Sequence, residues 1–445
     1  GHDHTALHFA IETAKVMDKP SIIIGNTIMA KGAANMEGDH NTHGAPLSQE
    51  EIDLTKEKLG LPSKKFYVPK EVIEHFRHRF SSLNHQAVQW KELCNTLNKV
   101  PSLNKIISST IFGKMSSEFE NPDFKSGEML ATRKAFGVVL DIIAKKLPQL
   151  VGGSADLEPS NYTGNFAKTY GDFQKQNKIG RNIPFGVREF PMAAIMNGMS
   201  LHGGTIPFGG TFLVFSDYER PALRLASIQN IQVIHEFTHD SFYVGEDGPT
   251  HQPIEQIMSL RAIPNFNVYR PADSKETASC FKLAIKDKNT PSALILTRQG
   301  VPTLEFSQKQ MDENVSKGAY IVVDSKKTNP DIIIIATGSE VSLAIEVSKS
   351  LIDKNVRVIS MPSWEVFSAQ SDKYKKEIIP DRGNLKVSLE AGITSGWEKF
   401  IGRSGLSIGI NHFGSSAPAN DLAIKFGFTV DKVSSKIEKY IKELL

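Results

Sequence analysis

The sequence predicts an α/β protein: tandem parallel-sheet domains followed by a C-terminal α/β domain. Three observations carry this expectation. From Gly127 onward, short apolar runs alternate with amphipathic helical patterns, as when parallel strands lie under helices on both faces. The apolar runs end in polar triplets, "SAD", "THD", "TRQ", "ATG" and "EAG", at the strand ends where such sheets collect ligands. The chain is also 445 residues long, and single cores stop growing near ~250–300 residues.

The elements follow in order. Leu7, Ala10, Ile11 and Ala14 have helical spacing, so a helix starts almost at the first residue. With no initiator Met, this is how a chain looks when entered in mid-domain. "SIIIG" after Pro20 reads as a strand. Ser48 and Glu51 predict a capping box for a helix ending near Gly60. A long helix is expected from Glu71 to Leu97, with Phe76, Phe80, Leu83, Ala87, Trp90 and Leu97 in one apolar stripe. Residues 101–126 lose periodicity and read as a linker between a first block, 1–100, and a second, 127–305.

In the second block "EMLATRKAFGVVLDIIAKKL", "REFPMAAIMNGMSLHG" and "DSKETASCFKLAIKD" are helices, and a further helix is expected at 253–262. "QLVGG", "IQVIHEF", "FNVYRP" and "ALILTRQ" are strands. A third block, 306–445, has "DIIIIATGSE", "VRVISM" and "LKVSLEAG" as strands.

Composition excludes several classes. The net charge of +3 is small and evenly spread, so nucleic acid is not an expected partner. No apolar stretch approaches the ~20 residues of a membrane helix, and no secretory signal opens the chain. Two distant cysteines, Cys94 and Cys280, fit a reducing, cytoplasmic compartment without disulfides. The sequons at Asn161 and Asn314 are then expected to carry nothing.

No dinucleotide or P-loop glycine pattern follows a strand, and no G-x-S-x-G elbow occurs. Asp39, His40 and His43, with His2 and His4, lack the spacing of a metal site, so no protein-only metal ligation is expected. Glu189 opens a nearly apolar helix in "GVREF" and is expected to be desolvated, which raises a carboxylate's pKa. Pairing with Arg188 or capping of the helix is the plain alternative. Phe212, Phe215 and Tyr218 lie three apart, a spacing that suits core or a cofactor wall. "ATGSE" is read as a tight turn rather than an anion site. "THDSFYVGEDGPTHQP" sets two histidines and three acidic residues at the mouth of a strand.

Taken in order, "THGAPLS", "ATRKA", "GGSADLEPSN", "GVREF", "GGTFLVFSDY", "THDSFYVGEDGPTHQP", "ILTRQ" and "ATGSEV" resemble the transketolases. The resemblance implies thiamine diphosphate with Mg2+ as cofactors. It implies transfer of a two-carbon ketol unit from a ketose phosphate to an aldose phosphate, through the cofactor carbanion. Glu189 would hydrogen-bond N1′ of the aminopyrimidine, and Phe212, Phe215 and Tyr218 would line its pocket. Asp156 would lie by the thiazolium, and His43 would touch both diphosphate and substrate. Arg133, Ser160, Arg298 and His251 would clamp the sugar phosphate, while His239 and Asp247 face its hydroxyls. Homodimerisation is implied too, since the family's sites lie between two subunits.

The Gly-Asp-Gly motif and downstream Asn that hold the metal are missing. Residues 1–100 are therefore expected to be the C-terminal remainder of the diphosphate-binding domain, 127–305 the pyrimidine-binding domain and 306–445 the C-terminal domain. A chain lacking most of the first domain is expected to be inactive alone. The alternatives are another thiamine-diphosphate enzyme, of deoxyxylulose-phosphate or dihydroxyacetone synthase type, or a non-catalytic dimerising remnant.

Overall fold

The computed structural model describes residues 1–101, 103–104, 108, 119–326, 329–381 and 384–444. Two compact units form, Gly1–Thr96 and Leu97–Leu445. The linker expected at 101–126 falls largely outside the described residues.

The first unit contains helices His4–Val16, Gln49–Lys58 and Lys70–Leu97 and no strand among its residues. Asp3 caps the first helix, accepting from the Ala6 amide at 3.0 Å. Ser48 caps the second, but the reciprocal half of the expected box is absent: the Glu51 carboxylate instead accepts from the Asn35 and Met36 amides. "SIIIG" is not a strand, and Ile22 and Ile24 are exposed. A strand needs a neighbour to take its hydrogen bonds, and this unit offers none. The long helix forms as expected, with Phe76, Phe80, Leu83 and Trp90 of its apolar stripe exposed.

The second unit holds two five-stranded sheets. The first is built from β2 (Leu150–Ser154), β3 (Ile206–Phe212), β4 (Ile234–Thr238), β5 (Asn267–Tyr269) and β6 (Ser292–Leu296), in the order β2-β3-β4-β6-β5, all parallel. A short antiparallel pair, β1 (Met129–Ala131) with β7 (Gly300–Pro302), closes its rim. The second sheet is β12-β11-β9-β10-β8, from β8 (Tyr320–Val323), β9 (Ile332–Ala336), β10 (Val356–Ser360), β11 (Leu385–Leu389) and β12 (Leu406–Ile408). Only β8, on an edge, runs antiparallel. Sequence reading passed over β3, a fully buried strand whose apolar run is broken by Pro207, Gly209 and Gly210. It also passed over β8 and β12. Both are short edge strands whose side chains are mostly half covered, so they lack the continuous apolar run of β9.

That run, "IIIIA", is buried throughout because helices cover both faces. Helix Thr132–Lys146 buries one side in the core of the first sheet, and its Phe136 meets Phe281 of helix Ser274–Lys286 at a centroid distance of 4.9 Å. Asp273 caps helix Ser274–Lys286 and also accepts from the Leu304 amide, tying the helix start to the chain beyond β7.

Where the two sheets meet, charge is buried. The Arg270 guanidinium is fully enclosed and donates to Asp240 Oδ2 at 2.7 Å, to the Thr337 hydroxyl at 2.9 Å and to Glu340. Arg261 forms a fork with both oxygens of Glu390 at 2.8 Å. Burial raises the Glu390 pKa, but Arg261, with Arg270 and the Thr337 hydroxyl, together outweigh it and hold the carboxyl below the ordinary range. The "ATGSE" loop is thereby explained. Gly338 takes φ +56, and a Cβ there would stand 2.7 Å from the Arg270 guanidinium carbon. The loop is a tight turn wrapped around an arginine of its own chain.

Candidate active site

Parallel order puts the carboxyl ends of β2, β3, β4 and β6 on one edge. "ATG" and "EAG" end β9 and β11 of the second sheet, while "SAD", "THD" and "TRQ" gather at this edge. Chain direction changes sharply at that edge. Asp156 has φ +64 and His239 has φ +61, a left-handed turn that costs a non-glycine residue roughly 1–2 kcal/mol. Such strain concentrates at working sites.

The turn at His239 carries its ring off the end of β4 onto Phe212 at the end of β3, centroid to centroid 3.8 Å. Phe215 stacks on Phe212 at 5.7 Å, within 8° of parallel, and Tyr218 lies 6.1 Å beyond. His251 closes the group edge-on, 5.7 Å from Phe215 and 6.4 Å from Phe212. The three aromatics are not a helical core stripe. They sit successively on a strand end, a 3-10 turn and a helix. Tyr218 is 64% exposed, so the wall has an open outer end.

His239 is buried, and its pKa falls to about 3. Desolvation dominates; the positive charges of Arg133 and Arg298 and the neighbouring His251 add to it. The ring is therefore neutral at physiological pH. Arg133, from helix Thr132–Lys146, donates to the Ser160 backbone carbonyl at 3.0 Å and lies over the Tyr162 ring at 5.3 Å. Its own pKa is lowered, chiefly by burial and also by Arg298. Two guanidinium groups that repel one another beside buried aromatics favour an anion between them.

Other expected residues are placed less tightly. Arg298 is exposed after β6, and Asp247 is exposed in the turn between Gly245 and Gly248. Asp156 and Glu158 line a cavity of about 310 Å3 at the end of β2, with Ser154, Asp172 and Gly186. His43 is exposed at the end of the 3-10 turn His40–Thr42 in the first unit.

Glu189 corrects an expectation. It starts helix Glu189–His202 as predicted, yet it is only half-buried, with Val187, Arg188 and Phe190 exposed around it. The desolvation expected from the apolar segment does not arise, because much of that segment faces outward. Arg188 does not pair with it either; its guanidinium donates to the Phe185 carbonyl.

Sequence reading missed the buried groups behind the aromatic wall. Glu219 and His235 are fully enclosed, with Glu219 Oε2 and His235 Nδ1 at 2.9 Å. Burial raises the Glu219 pKa, His235 opposes that, and the Glu189 charge adds to the rise. Glu236 is enclosed over Gly210, its cross-strand partner, where a Cβ would stand 2.5 Å from Oε2. Burial pushes its pKa well above the carboxylate range, with Arg133 a partial offset. The signal was in "IQVIHEF": two ionisable residues inside a strand buried on both faces.

Among the described residues, no group of three or more His, Cys, Asp or Glu side chains could hold a metal ion, and no helix is long and apolar enough to cross a membrane. Cys94 and Cys280 are free and buried.

Three family models match the chain. They are the transketolase thiamine diphosphate binding domain over residues 1–116, the transketolase pyrimidine binding domain over 128–303 and the transketolase-like C-terminal domain over 318–429. The diphosphate-binding domain family is thus represented in the chain, by residues 1–116. Transketolase of Geobacillus stearothermophilus is 44% identical over 95% of this chain and 64% of its own. That of Bacillus subtilis is 43% identical over 100% of this chain and 67% of its own. A crystal structure of Pichia stipitis transketolase in complex with sedoheptulose-7-phosphate superposes with TM-score 0.89 at 38% identity, covering 99% of this chain and 66% of that one. The chain spans about two thirds of the length of the curated relatives it matches. On the strength of these matches and the fold they share, the chain belongs to the transketolase family.

Proposed function

We propose that this chain carries the pyrimidine and sugar-phosphate half of a thiamine-diphosphate-dependent glycolaldehyde transferase, moving a two-carbon ketol unit from a ketose phosphate to an aldose phosphate. The observation that carries the reading is the aromatic and histidine wall at the strand ends: Phe212, Phe215, Tyr218, His239 and His251, with Arg133 behind. Its stacked rings suit a flat aminopyrimidine. When bound, thiamine diphosphate supplies the nucleophilic carbon that adds to the ketose carbonyl.

The chain's own residues do the rest. Glu189, at the start of the helix packed on the one that carries Tyr218, would hydrogen-bond N1′ of the pyrimidine. His239, neutral, meets a substrate oxygen by hydrogen bonding rather than by charge, and His251 faces it across the wall. Arg133 and Arg298 bind the phosphate with Ser160, whose carbonyl holds Arg133. Binding relieves the repulsion between the two guanidinium groups, and Asp247 meets a sugar hydroxyl. Asp156, in its strained turn, borders the cavity for the thiazolium. Mg2+ would accompany the cofactor diphosphate; among the described residues no group of three or more His, Cys, Asp or Glu side chains could hold it.

A second copy of this chain is the proposed partner. Phe190, Ile195, Leu201, Tyr218, Leu225 and Ile228 leave an apolar face exposed on the packed helices Glu189–His202 and Ser216–Gln229. Covering it would also desolvate Glu189, as its role requires. Unpaired buried cysteines support a reducing, cytoplasmic setting. We read residues 127–305 and 306–445 as separate domains joined at the Arg270 cluster.

Two-carbon transfer from xylulose 5-phosphate to ribose 5-phosphate, dependent on thiamine diphosphate and lost in Glu189→Gln, is the test. Transfer to a triose or to formaldehyde alone would favour the deoxyxylulose-phosphate or dihydroxyacetone synthase reading.

A further inference from the structure

We propose that Asn161 and Thr238 are positioning residues that fix His239 as its Nε2–H tautomer, so that the ring presents a hydrogen-bond donor to a ligand oxygen at the strand ends. The hydrogens along one buried chain of groups can be counted. Ser154 Oγ lies 2.7 Å from Asn161 Oδ1; Asn161 Nδ2 lies 3.2 Å from the Thr211 carbonyl and 3.1 Å from Thr238 Oγ1; Thr238 Oγ1 lies 2.9 Å from His239 Nδ1. Ser154, Asn161, Thr211 and Thr238 are buried to within 1% of full enclosure, so these groups must satisfy each other.

The Thr211 backbone carbonyl sets the direction, because it can only accept. The Asn161 amide must therefore turn its NH2 toward Thr211 and its oxygen toward Ser154, which donates. The second amide hydrogen then points at Thr238 Oγ1, and that hydroxyl becomes an acceptor of the Asn161 bond. Its own hydrogen still needs a partner. Among the described residues the acceptor in reach is His239 Nδ1, which must be unprotonated to take it. A neutral imidazole with Nδ1 accepting carries its hydrogen on Nε2.

Backbone and packing lock the result. The left-handed turn at His239 is what lays the ring on Phe212, and the Thr238 bond holds it from rotating. Asn161 lies on the short helix Glu158–Asn161, directly behind the sheet. Its sequon is thereby a structural asparagine with no access for a glycan.

The test is nitrogen NMR of the full chain labelled with 15N-histidine, with His239→Gln assigning the signal. In wild type and in Thr238→Ser, Nδ1 of residue 239 resonates as an unprotonated, pyridine-type nitrogen and Nε2 as a protonated one. In Thr238→Val, which keeps the shape and removes the donor, that pattern is lost to a mixture of tautomers. A protonated Nδ1 in wild type, or an unchanged tautomer in Thr238→Val, overturns the proposal. If Thr238→Val fails to fold, the wild-type and Thr238→Ser spectra decide alone. A kinetic arm rests on the function proposed above. There Thr238→Val lowers kcat/KM about tenfold, the worth of one hydrogen bond, and Thr238→Ser restores it. An absence of transfer activity in all three proteins would count against that function, while the spectra would still decide the tautomer.

Discussion

The rings of His239 and Phe212 lie 3.8 Å apart, at the carboxyl ends of two neighbouring parallel strands. Because the two strands are locked in register through Phe212 and Thr238, this contact reports directly on the geometry of the whole ligand edge.

The same burial predicts a pH effect. The His239 pKa falls from 6.5 to about 3 on folding, so the unfolded chain binds the proton more readily than the folded one. Stability from this residue is full above pH 6.5 and is lost as pH falls toward 3. Relative to His239→Gln, the wild type loses on the order of a few kcal/mol across that window. Urea unfolding of both proteins at stepped pH measures it, and parallel curves would refute it.

Glu236 predicts the opposite slope. Its folded pKa lies well above the ordinary 4.5, so its contribution is full below pH 4.5 and declines as pH rises through the folded value. Glu236→Gln therefore matches wild type in acid and is the more stable protein at alkaline pH. Melting temperatures between pH 5 and about 9 check this, with the gap widening upward.

Arg270 is the countercharge for Asp240 and Glu340, with Glu390 4.0 Å away. Arg270→Met strands buried carboxylates and costs about 3–5 kcal/mol. Arg270→Lys recovers little, because one ammonium cannot reproduce the fork. Chemical unfolding of the three proteins tests it; a loss below about 1 kcal/mol would mean that the cluster contributes little net stability.

Arg133 is predicted to act on the phosphate. Its guanidinium is aimed by the Ser160 carbonyl and the Tyr162 ring. Arg133→Gln should raise KM for a phosphorylated ketose by roughly ten- to a hundredfold, the worth of a charged hydrogen bond. An unphosphorylated ketose should be affected about twofold or less. Equal losses for both would assign Arg133 to the fold rather than to the ligand.

Much of this was legible in the sequence. Alternating periodicity located most strands of both sheets, and the polar triplets at their ends pointed to the edge where His239, Phe212 and Arg133 meet. Strand β3 was not legible because Pro207, Gly209 and Gly210 break its apolar run, and edge strands β8 and β12 were not because half-covered strands carry no such run. Ile22–Ile24 misled in the other direction: β propensity without a partner strand does not make a strand. Glu189 showed that an apolar segment need not bury its first residue. The groups that matter most behind the site, Asn161, Thr238, His235 and Glu236, had only the faint signal of polar atoms inside a buried strand or sequon. Their roles come from pairings between separate elements, 16 residues apart for Glu219 with His235 and 50 to 77 for Asn161 with Thr211 and Thr238, which no local pattern encodes.

The most direct test of the central claim is a calorimetric titration of the 445-residue chain with thiamine diphosphate in Mg2+ buffer, beside Glu189→Gln and Phe215→Ala. The aromatic wall as a cofactor site predicts saturable binding in wild type and at least about tenfold weaker binding in each variant. No binding to wild type, or equal binding to all three, would contradict it.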